Sequence, residues 1–137
     1  MADEPPNRAT DRAPSSDDIA AIGTAILDEL PAELRALVAH VPIRVQDWPD
    51  EATLDALEIE DALELTGLYA AVPIGERDAM TVPSAEPEMI YLFRLPILFE
   101  WCERGCTLEE VVFDVLTHEI GHHFGMDEAA ALRLEGR

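Results

Sequence analysis

The sequence predicts an α+β domain: a small mixed sheet backed by helices, with one long helix beneath it. Three observations carry this. Residues 89–94 alternate as a strand, with Ile90, Leu92 and Arg94 on one face and Tyr91 and Phe93 on the other. Residues 19–30 place apolar side chains at helical spacing. A second helical stripe of Leu108, Val112, Val115, Leu116, Ile120 and Phe124 follows a start signal at Thr107. There is no internal repeat, and 137 residues suffice for one domain with a real core.

Residues 1–16 are polar, acidic and proline-containing, so a disordered tail is expected there, with the domain over 17–137. The tail has no apolar run of the kind a secretion signal needs. After the helix at 19–30, Pro31 can open a second helix, carried to His40 by Leu34, Leu37 and Val38. Residues 41–48 alternate as a strand, 51–57 form a short helix, and 61–65 add a helical turn. Residues 67–74 read as a strand or extended loop, and the proline-rich stretch 73–87 as a long loop. Behind the strand at 89–94, Pro96 starts a short helix to Cys102. Thr107 then caps the long helix, with Glu110 three residues on completing a capping box. Gly125 is placed to end that helix in a left-handed turn, and a last short helix spans 128–134.

The long helix carries His118-Glu119-Ile120-Gly121-His122, an H-E-x-x-H pattern. Histidines four apart project from one helix face, about one turn from each other, so both imidazoles can hold one metal ion. Zinc suits such a site: with one further protein ligand it keeps a position for water and lowers that water's pKa. Glu119 lies about a quarter-turn round the helix, where it reaches such a water without being a good ligand. It also falls at the edge of the apolar stripe, where desolvation raises a carboxyl pKa toward the range of a general base. Three of the four histidines, His118, His122 and His123, sit within six residues. Glu110, Asp114, Thr117 and Gly121 form a narrower polar or small stripe.

The pattern extends to His118, Glu119, His122, Gly125 and Glu128. Glu128 has two readings: the third metal ligand, with Asp127 the lesser candidate, or part of the acidic cap of the last helix. The ligand reading is the one carried forward. His123 lies far enough round the helix from the other two histidines to face the core instead of the metal, and reads as a packing or supporting residue. Asp114, one turn before His118, either orients that imidazole or is an exposed helix acid, the second being the plainer reading. Tyr69 either donates to an oxyanion or is a half-buried strand aromatic, and again the second is plainer. His40 reads as structural or solvated. Cys102 and Cys106 read as reduced thiols of a cytoplasmic protein.

The segments HEIGHHFGMDE (118–128), LTGLYAAVPIGER (65–77) and EMIYLFRLPI (88–97) resemble the small bacterial zincin-like metallopeptidases. The likeness runs from about Asp18 to the C-terminus. It implies a compact zincin-like fold and a peptidase. Carried over by position, His118, His122 and the acid Glu128 would bind the metal and Glu119 would be the catalytic base. In such folds an edge strand beside the metal holds an extended peptide, and residues 67–74 are the candidate.

A net charge of −20, with nine arginines and no lysine, disfavours nucleic acid and anionic membranes as partners. No segment is long and apolar enough to span a bilayer. The leading expectation is therefore a cytoplasmic Zn2+-dependent hydrolase of peptide or protein substrates. Two other classes stand beside it: a metal-dependent hydrolase or nuclease, and a non-catalytic module with a structural metal. RNA-maturing endonucleases share the ligand spacing, but typically place histidine at the eleventh position and no glutamate at the second.

Overall fold

The computed structural model describes residues 12–70 and 88–125. Their order is α1 (Ser16–Asp28), α2 (Ala32–Val38), β1 (Ile43–Gln46), α3 (Glu51–Leu57), a 3₁₀ turn (Ala62–Glu64), β2 (Gly67–Ala70), β3 (Met89–Phe93), α4 (Arg94–Arg104) and α5 (Leu108–His123). The class is the α+β one that the sequence predicts. The proline-rich loop and the last short helix fall outside the described residues.

Helix α1 starts at Ser16, three residues before the apolar stripe suggests. Ser15 Oγ accepts from the Asp18 N–H at 3.1 Å, and Asp18 Oδ2 accepts from the Ser15 N–H at 2.9 Å. This reciprocal box satisfies two orphan donors at the helix start. Arg94 Nε donates to Pro14 O at 2.7 Å and ties this entry to the end of the sheet. The second helix begins after Pro31 and ends at Val38, two residues short of His40.

Helix α3 runs over the residues expected. Asp50 caps it, with Oδ1 accepting from the Thr53 N–H at 2.7 Å. Those hydrogen bonds to Thr53 hold the Asp50 carboxyl below its ordinary pKa. A depressed folded pKa means the cap is at full strength above the unfolded value and fades as pH falls through the folded one. Asp50→Ala should therefore cost about 1 kcal/mol at neutral pH. The gap to wild type should narrow in acid, as urea midpoints at neutral pH and near pH 2–3 would show. An equal gap at both pH values would mean the charge contributes nothing.

The sheet order is β1-β3-β2, with β1 parallel and β2 antiparallel to the central strand. Ile90, Tyr91, Leu92 and Phe93 are all buried rather than alternately exposed, so both faces of the central strand are covered. Ile90 and Leu92 join the main core, built with Ile19 and Leu27 of α1 and Val111, Val112, Val115, Leu116 and Ile120 of α5. Tyr91 and Phe93 stack in parallel on the other face, ring centroids 6.2 Å apart. Arg94 leaves the strand: α4 begins there directly, with Phe93 as its cap residue and Pro96 inside the first turn, where a missing N–H costs nothing. Helices α1 and α5 thus cover one face of the sheet, and α5 also runs along β2.

Candidate active site

Helix α5 is fixed at both ends by its own sequence. Thr107 Oγ1 accepts from the Glu110 N–H at 3.0 Å, and the Glu110 carboxylate accepts from the Thr107 N–H at 3.3 Å. At the other end Gly125 adopts φ +66°, the left-handed conformation expected of it. Between them the helix is enclosed more widely than its apolar stripe suggests. Thr117 is 1% exposed and Gly121 is buried, so half of the supposed polar stripe lies inside. Thr117 is tolerated because its hydroxyl donates to Phe113 O at 2.9 Å.

His118 and His122 are exposed, with ring centroids 4.5 Å apart and planes tilted by 41°. One turn of helix thus brings two imidazoles side by side facing solvent. Glu119 is half-buried, and its Oε1 accepts from the backbone N–H of Tyr69 on β2 at 3.2 Å. Burial pushes the Glu119 carboxyl pKa up. The Tyr69 N–H and the nearby imidazoles pull the other way, and burial prevails. This is the environment expected for Glu119 from its place at the edge of the stripe.

A hollow of about 250 Å³ opens at His118 and Glu119, lined also by Thr66, Glu100, Asp114 and Val115. A larger groove of about 650 Å³ between α1 and α5 does not touch the motif. Asp114 is not turned to His118. Its Oδ2 accepts from Arg104 at 2.7 Å, and Arg104 also pairs with Glu100 at 2.9 Å. The Tyr69 side chain is 7% exposed, more deeply buried than expected, and its hydroxyl donates to Glu88 at 2.9 Å. It is the backbone of Tyr69, not its phenol, that reaches Glu119. His123 does not face the core as expected: it is exposed and lies on the Tyr69 ring, because that side of α5 meets the edge strand. Glu88 and the Tyr69 N–H are the two participants that sequence reasoning missed, since neither carries a local signal.

Strand β2 meets α5 closely. A Cβ on Gly67 would lie 2.5 Å from Val115 Cγ1 and 3.1 Å from Tyr91 O. Gly67→Ala should cost about 1–3 kcal/mol, because a β-branched neighbour on a packed helix and a backbone oxygen cannot both yield. Adding Val115→Ala should recover part of that loss in a double-mutant cycle. Additive costs would show that the two residues do not collide.

Glu128 and Asp127 lie outside the described residues. Among the described residues, no group of three or more His, Cys, Asp or Glu comes together as a metal site. His118 and His122 are a pair of imidazoles, a donor type that zinc accepts. A family model for zincin-like metallopeptidases matches residues 38–137. The chain belongs to the zincin-like metallopeptidase family. No curated protein matches it. The match spans all of β1 to α5 and continues to the C-terminus, so it includes the third-ligand candidates of this zincin-like chain. No helix among its described residues is long and apolar enough to cross a membrane.

Proposed function

We propose that this zincin-like protein is a zinc-dependent peptidase in which Glu119 is the general base. The observation that carries the reading is the pairing of two exposed imidazoles with a half-buried, hydrogen-bonded carboxylate on one turn of α5. His118, His122 and Glu128 would hold the metal, a donor set of two imidazoles and a carboxylate that zinc accepts. Zinc, when bound, supplies Lewis acidity toward a water and the scissile carbonyl.

Glu119 takes the proton from the attacking water and delivers it to the leaving amine. Its raised pKa suits both halves of that exchange, since a carboxylate at its ordinary pKa is a weak base at neutral pH. The Tyr69 N–H holds one carboxylate oxygen and leaves the other for the water. Peptide or protein is the substrate class of this reading; an extended substrate would have to be held without the Tyr69 N–H, which Glu119 already takes on the outer edge of β2. The charge of −20 speaks against nucleic acid, and the free thiols Cys102 and Cys106 suit a cytoplasmic setting.

The test is incubation of the purified protein with a mixed peptide library, with and without a chelator, and with RNA alongside. Chelator-sensitive peptide cleavage, read by mass spectrometry, supports the peptidase. Cleavage of RNA alone would replace it with the nuclease. Zinc retained with no cleavage of either substrate would favour the structural-metal module. For the third ligand, Glu128→Gln should weaken zinc binding well beyond Asp127→Asn. The opposite order would transfer the role to Asp127.

A further inference from the structure

Three residues of α5 face β2 at successive turns: Val115, Glu119 and His123. Val115 touches Gly67, Glu119 accepts the Tyr69 N–H, and His123 stacks on the Tyr69 ring. Four residues of helix rise about 6 Å and two residues of strand about 6.7 Å, so strand and helix stay in step over this short distance.

The ladder sets only which side of β2 the Tyr69 N–H faces. Phe93 N–H donates to Thr66 O, which makes Thr66 opposite Phe93 a hydrogen-bonded pair. Alternation then gives Leu68 opposite Tyr91 as the next bonded pair and turns the polar groups of Tyr69 outward. Nothing in the sheet itself holds that outward N–H on Glu119, because β2 is bonded to one strand only among the described residues.

The Tyr69 side chain is held instead. Its hydroxyl donates to Glu88 Oε1 at 2.9 Å, and its ring lies on the His123 imidazole with centroids 3.8 Å apart and planes within 10°. Phe124 meets the ring edge-on at 5.8 Å. The other oxygen of Glu88, Oε2, lies 3.4 Å from His123 Nε2. Tyr69, Glu88 and His123 therefore close a ring of contacts joining the edge strand, the entry to β3 and the last turn of α5. Both Glu88 and His123 keep part of their side chains exposed, at 31% and 26%. A partly hydrated carboxylate is a poor choice for simple packing and a good one for fixing a direction.

We infer that Glu88 and His123 are positioning residues: by locking the Tyr69 side chain they aim its backbone N–H at Glu119 and so set where the catalytic carboxylate sits. The inference rests on the reading of Glu119 as base, but its structural half can be tested without activity.

Hydrogen exchange of the Tyr69 amide, followed by NMR on the full chain, reads the N–H directly. Glu119→Ala calibrates the loss of the bond. Glu88→Ala and Tyr69→Phe should speed that exchange toward the Glu119→Ala level, while amides elsewhere in β3 and α5 keep wild-type protection. Glu88→Gln, which keeps an acceptor for the hydroxyl, should restore most of the protection. In the zinc-loaded protein, Glu88→Ala should lower kcat by on the order of 10–100-fold with KM and zinc content unchanged. Wild-type exchange at Tyr69 in both Glu88→Ala and Tyr69→Phe would overturn the inference, whether or not any peptide is cleaved. So would faster exchange with unchanged kcat in a protein that cleaves peptides. A wild type that cleaves nothing yet shows the expected exchange pattern would sink the peptidase reading while leaving the contact ring intact.

Discussion

Glu119→Gln should leave the protein folded and zinc-loaded and remove hydrolysis, by on the order of 10²–10⁴-fold in rate. The amide keeps an oxygen for the Tyr69 N–H, so the link between β2 and α5 survives. What it loses is the ability to hold and return a proton. A second signature accompanies the loss. Burial raises the Glu119 pKa in the folded state, so the metal-free wild type is penalised wherever the unfolded chain would ionise this group. The folded protein therefore gains stability as pH falls through that raised value. Glutamine escapes the penalty: the metal-free variant should melt above wild type at neutral pH, and the advantage should vanish below about pH 4. Full activity in Glu119→Gln would remove the base assignment. A lower melting point at neutral pH would mean that the hydrogen bond outweighs burial.

His122→Ala should lose the metal. Wild type, supplied with zinc and dialysed, should retain about one ion per chain, as a single tetrahedral site implies. Removing one of three protein ligands should cost more than the roughly 10–100-fold typical of losing an outer partner. Zinc should also raise the melting temperature of wild type, because an ion at a hundred times its Kd contributes about 2.7 kcal/mol to the native state. The variant should show no such rise. His123→Ala is the paired control: that ring is stacked on Tyr69 and committed to Glu88, so zinc content should stay near one. Equal metal content in wild type and His122→Ala would end the metal-site reading. Loss in His123→Ala alone would reverse the roles of the two neighbours.

Much of α5 was legible because its information is local. A cap, a box, a histidine pair and a terminal glycine act over a few residues each, and all fall where the sequence puts them. The short helix α3 was legible for the same reason, through Asp50. The rest of the site depends on what α5 packs against. Thr117 and Gly121 look like a solvent stripe by residue type, but with α1 and β2 both covering the helix they lie inside. The row Val115, Glu119, His123 has no shared chemistry to mark it. It becomes a face only when β2 arrives from 50 residues away. Asp114 illustrates the same limit: the sequence offers an exposed helix acid or, less plainly, a partner for His118, and the structure pairs it with Arg104 at 2.7 Å. Alternation carries the strand on to Arg94, but a helix starts directly behind Phe93, and alternation holds no signal for that.

The bond from Tyr69 to Glu119 has a consequence for how copies of this protein meet. An edge strand with free N–H and C=O groups is an invitation to pair with the same strand of another molecule. Here the molecule partly answers its own invitation. The outward proton of Tyr69 is already taken, and by a carboxylate that an incoming backbone carbonyl would have to displace. The protein also carries a charge of −20, which repels a second copy. The contact between Tyr69 and Glu119 therefore also makes this position of the edge a poor template for aggregation.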